Sequence, residues 1–311
     1  MKKLFVLMIL TLFVFSSCSD FGSSSKKTNA PSIDTKGDGL ELDFNVDSRA
    51  KGDGTVTYNL KVKNTGSDPI TLSQENFQLR TLQASSDDIN QPVFTTDSIE
   101  SFYNRVFGSG TLLLYNNGNE INFNGKLAIE EDYFRNANND KIDVVLKVEY
   151  PYETKFSNSI EIDLTKLDGE INYLGGKPSQ AAPVKITKII LEPGFQIEDY
   201  EIKYTIENRG DKFSIATIND IDFKFGAQNR LSNCRFIEED RDTKREIEYS
   251  PIRLNDELRK VVYICSVDLE DVSNLDPITF VTSGTINYDY QMVIKDEISL
   301  PDIEDIDTDR R

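Results

Sequence analysis

The chain has 311 residues, no histidine, no tryptophan and only three cysteines. Each absence removes a class of chemistry. Without histidine, no Ser-His-Asp or Cys-His constellation can form. With Cys-x-x-Cys spacing missing as well, a zinc site is not expected. Neither G-x-S-x-G, G-x-x-x-x-G-K-[ST] nor G-x-G-x-x-G occurs. Gly37-Asp-Gly39 and Gly52-Asp-Gly54 read as turns, because no helical pattern follows either. Positive charge is also scarce: Lys plus Arg is 35 against 53 Asp plus Glu, a net charge of −18. Such a surface repels nucleic acid and anionic lipid, so no nucleic-acid partner is expected. No cofactor or metal is expected, and the chain reads as a non-enzyme. Carboxylates are plentiful, which keeps a two-carboxylate hydrolase as an alternative, but no pair of them stands out.

Long apolar runs are absent except at the start. Lys2 and Lys3 precede Leu4–Phe15, a run broken only by Thr11. Twelve helical residues span about 18 Å, short of the roughly 30 Å hydrocarbon core of a bilayer. The run therefore reads as the apolar region of a signal peptide, residues 1–17. Phe15-Ser16-Ser17-Cys18 resembles a lipobox, with Phe15 where leucine is usual. The resemblance implies that Cys18 becomes lipidated and is the first residue of the mature chain. The alternative is an ordinary cleavable signal. Residues 18–39 are rich in Ser, Lys, Asn and Gly and read as a tether. The expected location is extracytoplasmic, held to the membrane by a lipid anchor at the cell surface or in the outer membrane or periplasm.

Lipidation of Cys18 leaves Cys234 and Cys265. An even remainder in an oxidising compartment points to one disulfide, with two buried thiols as the alternative. Cys265 shares its strand face with Val261, Tyr263, Val267 and Leu269 and should point into a core.

What the chain does have is a duplication. Val56-Thr-Tyr-Asn-Leu-Lys-Val-Lys-Asn64-Thr-Gly66 is matched by Tyr200-Glu-Ile-Lys-Tyr-Thr-Ile-Glu-Asn208-Arg-Gly210. Both alternate apolar and polar residues with period two, the mark of a strand with one buried face. Both end in Asn-x-Gly, read as a strand stop in which glycine supplies positive φ. Later, Val144 to Tyr152 alternates in the first copy and Phe280 to Tyr290 in the second. A short turn and a final strand are expected after each, at Ile160–Leu164 and Glu297–Leu300. Each copy opens with a strand, Leu40–Val46 and Val184–Leu191. The expected domains are 40–166 and 183–300, joined by a Gly- and Pro-containing linker at 167–182 and followed by an acidic tail at 301–311. Several short strands per copy with turns between them predict an all-β fold of two tandem immunoglobulin-like β-sandwiches.

The opening strand, the alternating strand closing in Asn-x-Gly and the late Tyr-x-Tyr strand resemble CARDB-type and related Ig-like repeats of prokaryotic envelope proteins, archaeal ones in particular. That resemblance implies adhesion, spacing or scaffolding with protein partners at the cell surface. It brings no catalytic residues with it.

The copies differ in two places. The first has an excursion from Gln83 to Gly110, in which Asp97 and Glu100 have capping-box spacing and Ile99, Phe102, Tyr103 and Val106 follow helical spacing. Phe102, Tyr103 and Arg105 are the candidate partner contacts if this helix binds a ligand or peptide. The alternative is a structural plug inserting Phe102, Val106 and Phe107. The second copy carries the cysteine pair and a charged run, Glu238–Glu246, read as a solvated hairpin tip.

Overall fold

A computed structural model describes residues 39–83, 93–116, 120–136, 141–162, 171–173, 182–193, 200–239, 244–247, 251–269 and 278–300. The signal, Cys18, all of the tether but its last residue, most of the linker and the acidic tail lie outside the described residues.

Strands dominate. The first half carries β1 (Leu40–Val46), β2 (Thr55–Asn64), β3 (Ile70–Leu72), β4 (Phe77–Gln83), α1 (Thr96–Phe107), β5 (Leu112–Leu114), β6 (Glu120–Ala128), α2 (Glu131–Asn136) and β7 (Lys141–Ile162). Ile171–Tyr173, within the stretch read as linker, forms a short strand, β8. The second half carries β9 (Val184–Pro193), β10 (Tyr200–Asn208), β11 (Ile215–Phe225), β12 (Leu231–Glu239), β13 (Lys244–Ile247), β14 (Ile252–Leu254), β15 (Lys260–Val267) and β16 (Ile278–Ser299). Their order in the sheets is β1-β2-β6, β3-β5, β14-β11-β16-β7-β4 and β13-β12-β15-β10-β9-β8. The fold is all-β and sandwich-like, with antiparallel sheets and one face of most strands turned into the core.

The turns expected after Tyr152 and after Tyr290 are absent. β7 and β16 are each 22 residues long and pair antiparallel along their whole length, from Lys141 opposite Ser299 to Ile162 opposite Ile278. The reason is that the period of two never breaks: Tyr150, Tyr152, Thr154, Phe156 and Ile160 are all buried on one face. A polar Thr154 is tolerated there because its hydroxyl donates to the Val184 carbonyl at 2.8 Å.

Each half's last strand thus runs on into the other half. Past Tyr152, β7 packs Phe156 on Phe223 and Tyr204 of the second half, with ring centroids 4.8 and 5.9 Å apart. Past Tyr290, β16 reaches the first half, where Asp296 accepts from Val46 N at 2.7 Å and Ser299 exchanges backbone bonds with Ser48 and Ala50. All described residues belong to one compact unit.

Asn-x-Gly works differently from expectation. Gly66 and Gly210 are not in the positive-φ region. Glycine is needed there for close approach: a Cβ on Gly66 would fall on the Tyr152 hydroxyl, and one on Gly210 on the Tyr290 hydroxyl. The asparagine then stitches the turn. Asn64 Nδ2 donates to Asp68 O and Leu114 O at 2.8 and 3.1 Å, and its Oδ1 accepts from Gly66 N at 2.9 Å. Asn208 repeats this with Leu254 O at 3.2 Å and Gly210 N at 3.0 Å. Both asparagines are buried, and each has its polar atoms satisfied as burial requires.

Candidate functional site

Three places in the described fold concentrate polar or reactive groups: a tyrosine seam, the side closed by α1, and the side closed by the β12–β13 hairpin.

The seam lies where β7 and β16 cross. Tyr150 sits opposite Tyr290 and Tyr152 opposite Tyr288. Tyr150 Oη accepts from Leu40 N at 3.2 Å, and Tyr288 Oη accepts from Val184 N at 3.4 Å, so each phenol holds the first residue of one half's opening strand. Tyr150 and Tyr288 are therefore equivalent, as are Tyr152 and Tyr290, and the halves are related by a two-fold through the pairing. Burial pushes the phenols of Tyr150 and Tyr288 well above the usual tyrosine range and that of Tyr290 up to about 12. At neutral pH they are uncharged hydrogen-bonding groups, which fits a structural seam and gives no proton-transfer group.

On the α1 side, Thr95 caps the helix, its side chain accepting from Ser98 N at 3.3 Å, so the helix starts two residues before the Asp97 expected from the capping-box spacing. Ser98, Phe102, Val106 and Phe107 are buried. Phe102 lies 5.1 Å from Tyr58 and 6.3 Å from Phe44, edge to face, and Phe107 lies 5.0 Å from Phe77. Phe102 is fully buried and presents nothing to a partner, which corrects its place among the candidate contacts. Tyr103 is half-buried; its hydroxyl accepts from Leu79 N at 3.1 Å and approaches Phe77 O at 3.4 Å, so it caps the outer edge of β4. Arg105 is exposed. The helix is thus a plug, bonded to β6 at one end through Ser98 Oγ and Ala128 O (3.3 Å) and to β4 at the other.

Beside Tyr103 is a wide, open depression of about 640 Å³ lined by Ser73, Gln74, Glu75, Phe77, Gln78 and Gly110. Elsewhere, β5 turns Leu113 outward, and Tyr115 follows; they are 43 and 58% exposed, two of the few large apolar side chains that face water among the described residues. Nothing in the spacing of Leu112 to Tyr115 marks these two as outward-facing.

On the hairpin side, Cys234 and Cys265 form a disulfide. Cys265 is buried, with Val261, Val267 and Leu269 also in the core, whereas Cys234 is exposed. The bridge joins neighbouring strands at a bulge: pairing of β12 with β15 shifts between Ser232 and Arg235, and Asn233 takes a φ of 48°. β12 and β13 pair from Phe236–Ile247 to Glu239–Lys244, so the charged run is a hairpin whose tip lies outside the described residues.

Chemistry elsewhere is sparse. Lys185 on β9 is buried and its amine is held down at about 8, by burial first and by Arg209 second. Among the described residues, no group of three or more Cys, Asp or Glu is placed to hold a metal, and no helix is long and apolar enough to cross a membrane. A disulfide belongs to an oxidising compartment, which places the chain outside the cytoplasm.

No protein-family model and no curated protein matches the chain. Among solved structures, the secreted serine protease VesC from Vibrio cholerae is similar at 10% identity and a TM-score of 0.22, over 85% of this chain and 52% of that one. The chain spans about half the length of that protein, and a likeness this low carries no argument about fold or activity.

Proposed function

We propose that this chain is a lipid-anchored, non-enzymatic surface protein whose two immunoglobulin-like halves act as one rigid spacer or scaffold. The observation that carries it is the lipobox-like Phe15-Ser16-Ser17-Cys18 after an apolar signal. The Cys234–Cys265 disulfide supports it, since a signal and a disulfide call for the same compartment. The exchange of β7 and β16 between halves supports rigidity, because bending the halves apart would disrupt a ladder of 22 residue pairs. In this reading Cys18 holds the membrane, with the acidic surface repelling anionic headgroups and the tether lifting the body off them. Replacing Cys18 by Ala should move the full chain from the detergent phase to the aqueous phase in phase separation, and abolish incorporation of labelled fatty acid. Unchanged partitioning of the variant would end the anchored reading.

The depression beside Tyr103 favours a second reading in which the anchored chain captures a peptide or small ligand. A saturable thermal shift from one compound of a ligand library, lost on Gln78→Ala, would replace the purely structural reading with this one.

A further inference from the structure

The two halves leave one matching strand edge in different states. In the second half, β12 lies against the outer edge of β15, with Phe236 opposite Tyr263 and their rings 4.8 Å apart. β6 is the counterpart of β15: Phe123 sits opposite Leu60 as Tyr263 sits opposite Tyr204. Yet β6 ends its sheet, with no described strand beyond it.

The free groups of that edge can be assigned. Ile129 N bonds Gly54 O on the β2 side, whereas Ala128 O faces the other way and is taken by Thr95 N at 2.9 Å. Because main-chain direction alternates along a strand, Glu120, Asn122, Asn124 and Lys126 also turn their N–H and C=O groups outward. None of these outward groups is bonded among the described residues. The helix packs against the Ala128 end of β6 and reaches Phe77 and Leu79 on β4, and it leaves Glu120, Asn122, Asn124 and Lys126 exposed. Nor is the strand guarded as exposed edges usually are. It has no proline, no bulge across nine consecutive pairs with β2, and a single lysine. Its inward-facing Ile121 and Phe123 are only half-buried.

We propose that two copies of this chain pair through this edge, β6 antiparallel to β6, with Phe123 on the two-fold axis. The register follows from the sequence. Phe123 meets Phe123 of the second copy, as Phe236 meets Tyr263 within the chain. Ile121 faces Gly125, over which the Tyr58 ring lies, so the isoleucine packs against that ring. Asn122 faces Asn124, and Glu120 faces Lys126, so the ends of the strand are charge-matched on both sides of the axis. The outward main-chain groups of Glu120, Asn122, Asn124 and Lys126 fall opposite one another and become bonded. Glu120 and Lys126 are exposed in the single chain, free to change partner.

The test uses the full chain in nonionic detergent, with mass measured by light scattering and sedimentation equilibrium. The wild type should be a dimer. Glu120→Lys or Lys126→Glu puts like charges opposite each other twice per dimer and should weaken it about tenfold. The double reversal should restore it, which also shows that neither exposed change damages the fold. Phe123→Cys should cross-link two copies on mild oxidation, since facing Cα atoms at such a position lie about 4.5 Å apart. A wild-type monomer at tens of micromolar, a dimer indifferent to both single reversals, or equal cross-linking through Lys61→Cys on the outer face of β2 would each overturn the proposal. So would a purified monomer whose Asn122 and Asn124 amides become protected only on the native surface, which would assign the edge to another protein's strand.

Discussion

The two halves fill the same slot with different material. Between β4 and β5 the first half inserts α1, and between β11 and β14 the second inserts the β12–β13 hairpin. The helix closes its side from within, driving Phe102 between Phe44 and Tyr58. The hairpin closes its side by widening the sheet, and the disulfide fastens it to β15. One relies on buried aromatic area, the other on strand pairing and a covalent link. A duplicated scaffold accepts both because what positions each half, the β7–β16 ladder and its tyrosines, lies elsewhere and is common to the two.

The largest expected effect falls on that common part and should not distinguish the halves. Tyr150, Tyr288 and Tyr290 hold their protons more tightly when folded than the ordinary phenol near 10. Below pH 10 both folded and unfolded chains keep these protons, and their contribution is constant. Above it the unfolded chain ionises first, so stability falls by up to ~1.4 kcal/mol per pH unit for each phenol, until pH passes the folded value, about 12 for Tyr290. Urea midpoints taken from neutral pH to about pH 11 should show this loss. Tyr150→Phe and Tyr288→Phe should flatten the alkaline slope equally. Unequal slopes would break the two-fold equivalence of the seam.

Next come two lesions that address one half each. Phe102→Ala removes a fully buried ring and should cost about 3–5 kcal/mol. Removing the bridge as Cys234→Ser with Cys265→Ala should cost about 2–4 kcal/mol in the chain-entropy account. The informative reading is the number of transitions. Since β7 and β16 belong to both halves, each variant should still unfold in a single denaturant transition seen alike by far-UV dichroism and tyrosine fluorescence. Two resolved transitions in either variant would mean that the halves behave as separate domains despite the exchanged strands.

Much of this was legible in the residues. Period two at Leu40–Val46, Val56–Val62 and Tyr200–Ile206 identified strands and their buried faces, because one wet and one dry face leave a direct imprint on sequence. The cysteine pairing was legible by elimination. The α1 plug was legible from Phe102 and Val106, although Phe102 then had to be withdrawn as a contact. The exchange of final strands was not. Glu153 to Ser159 looks like a polar turn, and only the spacing of Thr154, Phe156 and Ile160 reveals a continuing strand. Whether that strand folds back or runs on depends on a partner more than 100 residues away in the chain, which no local pattern records. The role of Gly66 and Gly210 was hidden for the same reason: their constraint is a tyrosine hydroxyl from a distant strand, not their own φ.

The smallest effect asks whether the helix is fastened at its start or merely wedged in place. Thr95 contributes one cap bond to Ser98 N, while its backbone N is already tied to Ala128 O. If the cap acts as in other helices, Thr95→Ala should cost about 1 kcal/mol. It should raise hydrogen exchange in the first turn of α1 and leave the β12–β13 hairpin untouched. A loss much below that would mean that Phe102 and Phe107 alone fix the helix, and that the first half is held by burial in the same exclusive way that the second is held by its strand ladder and bridge.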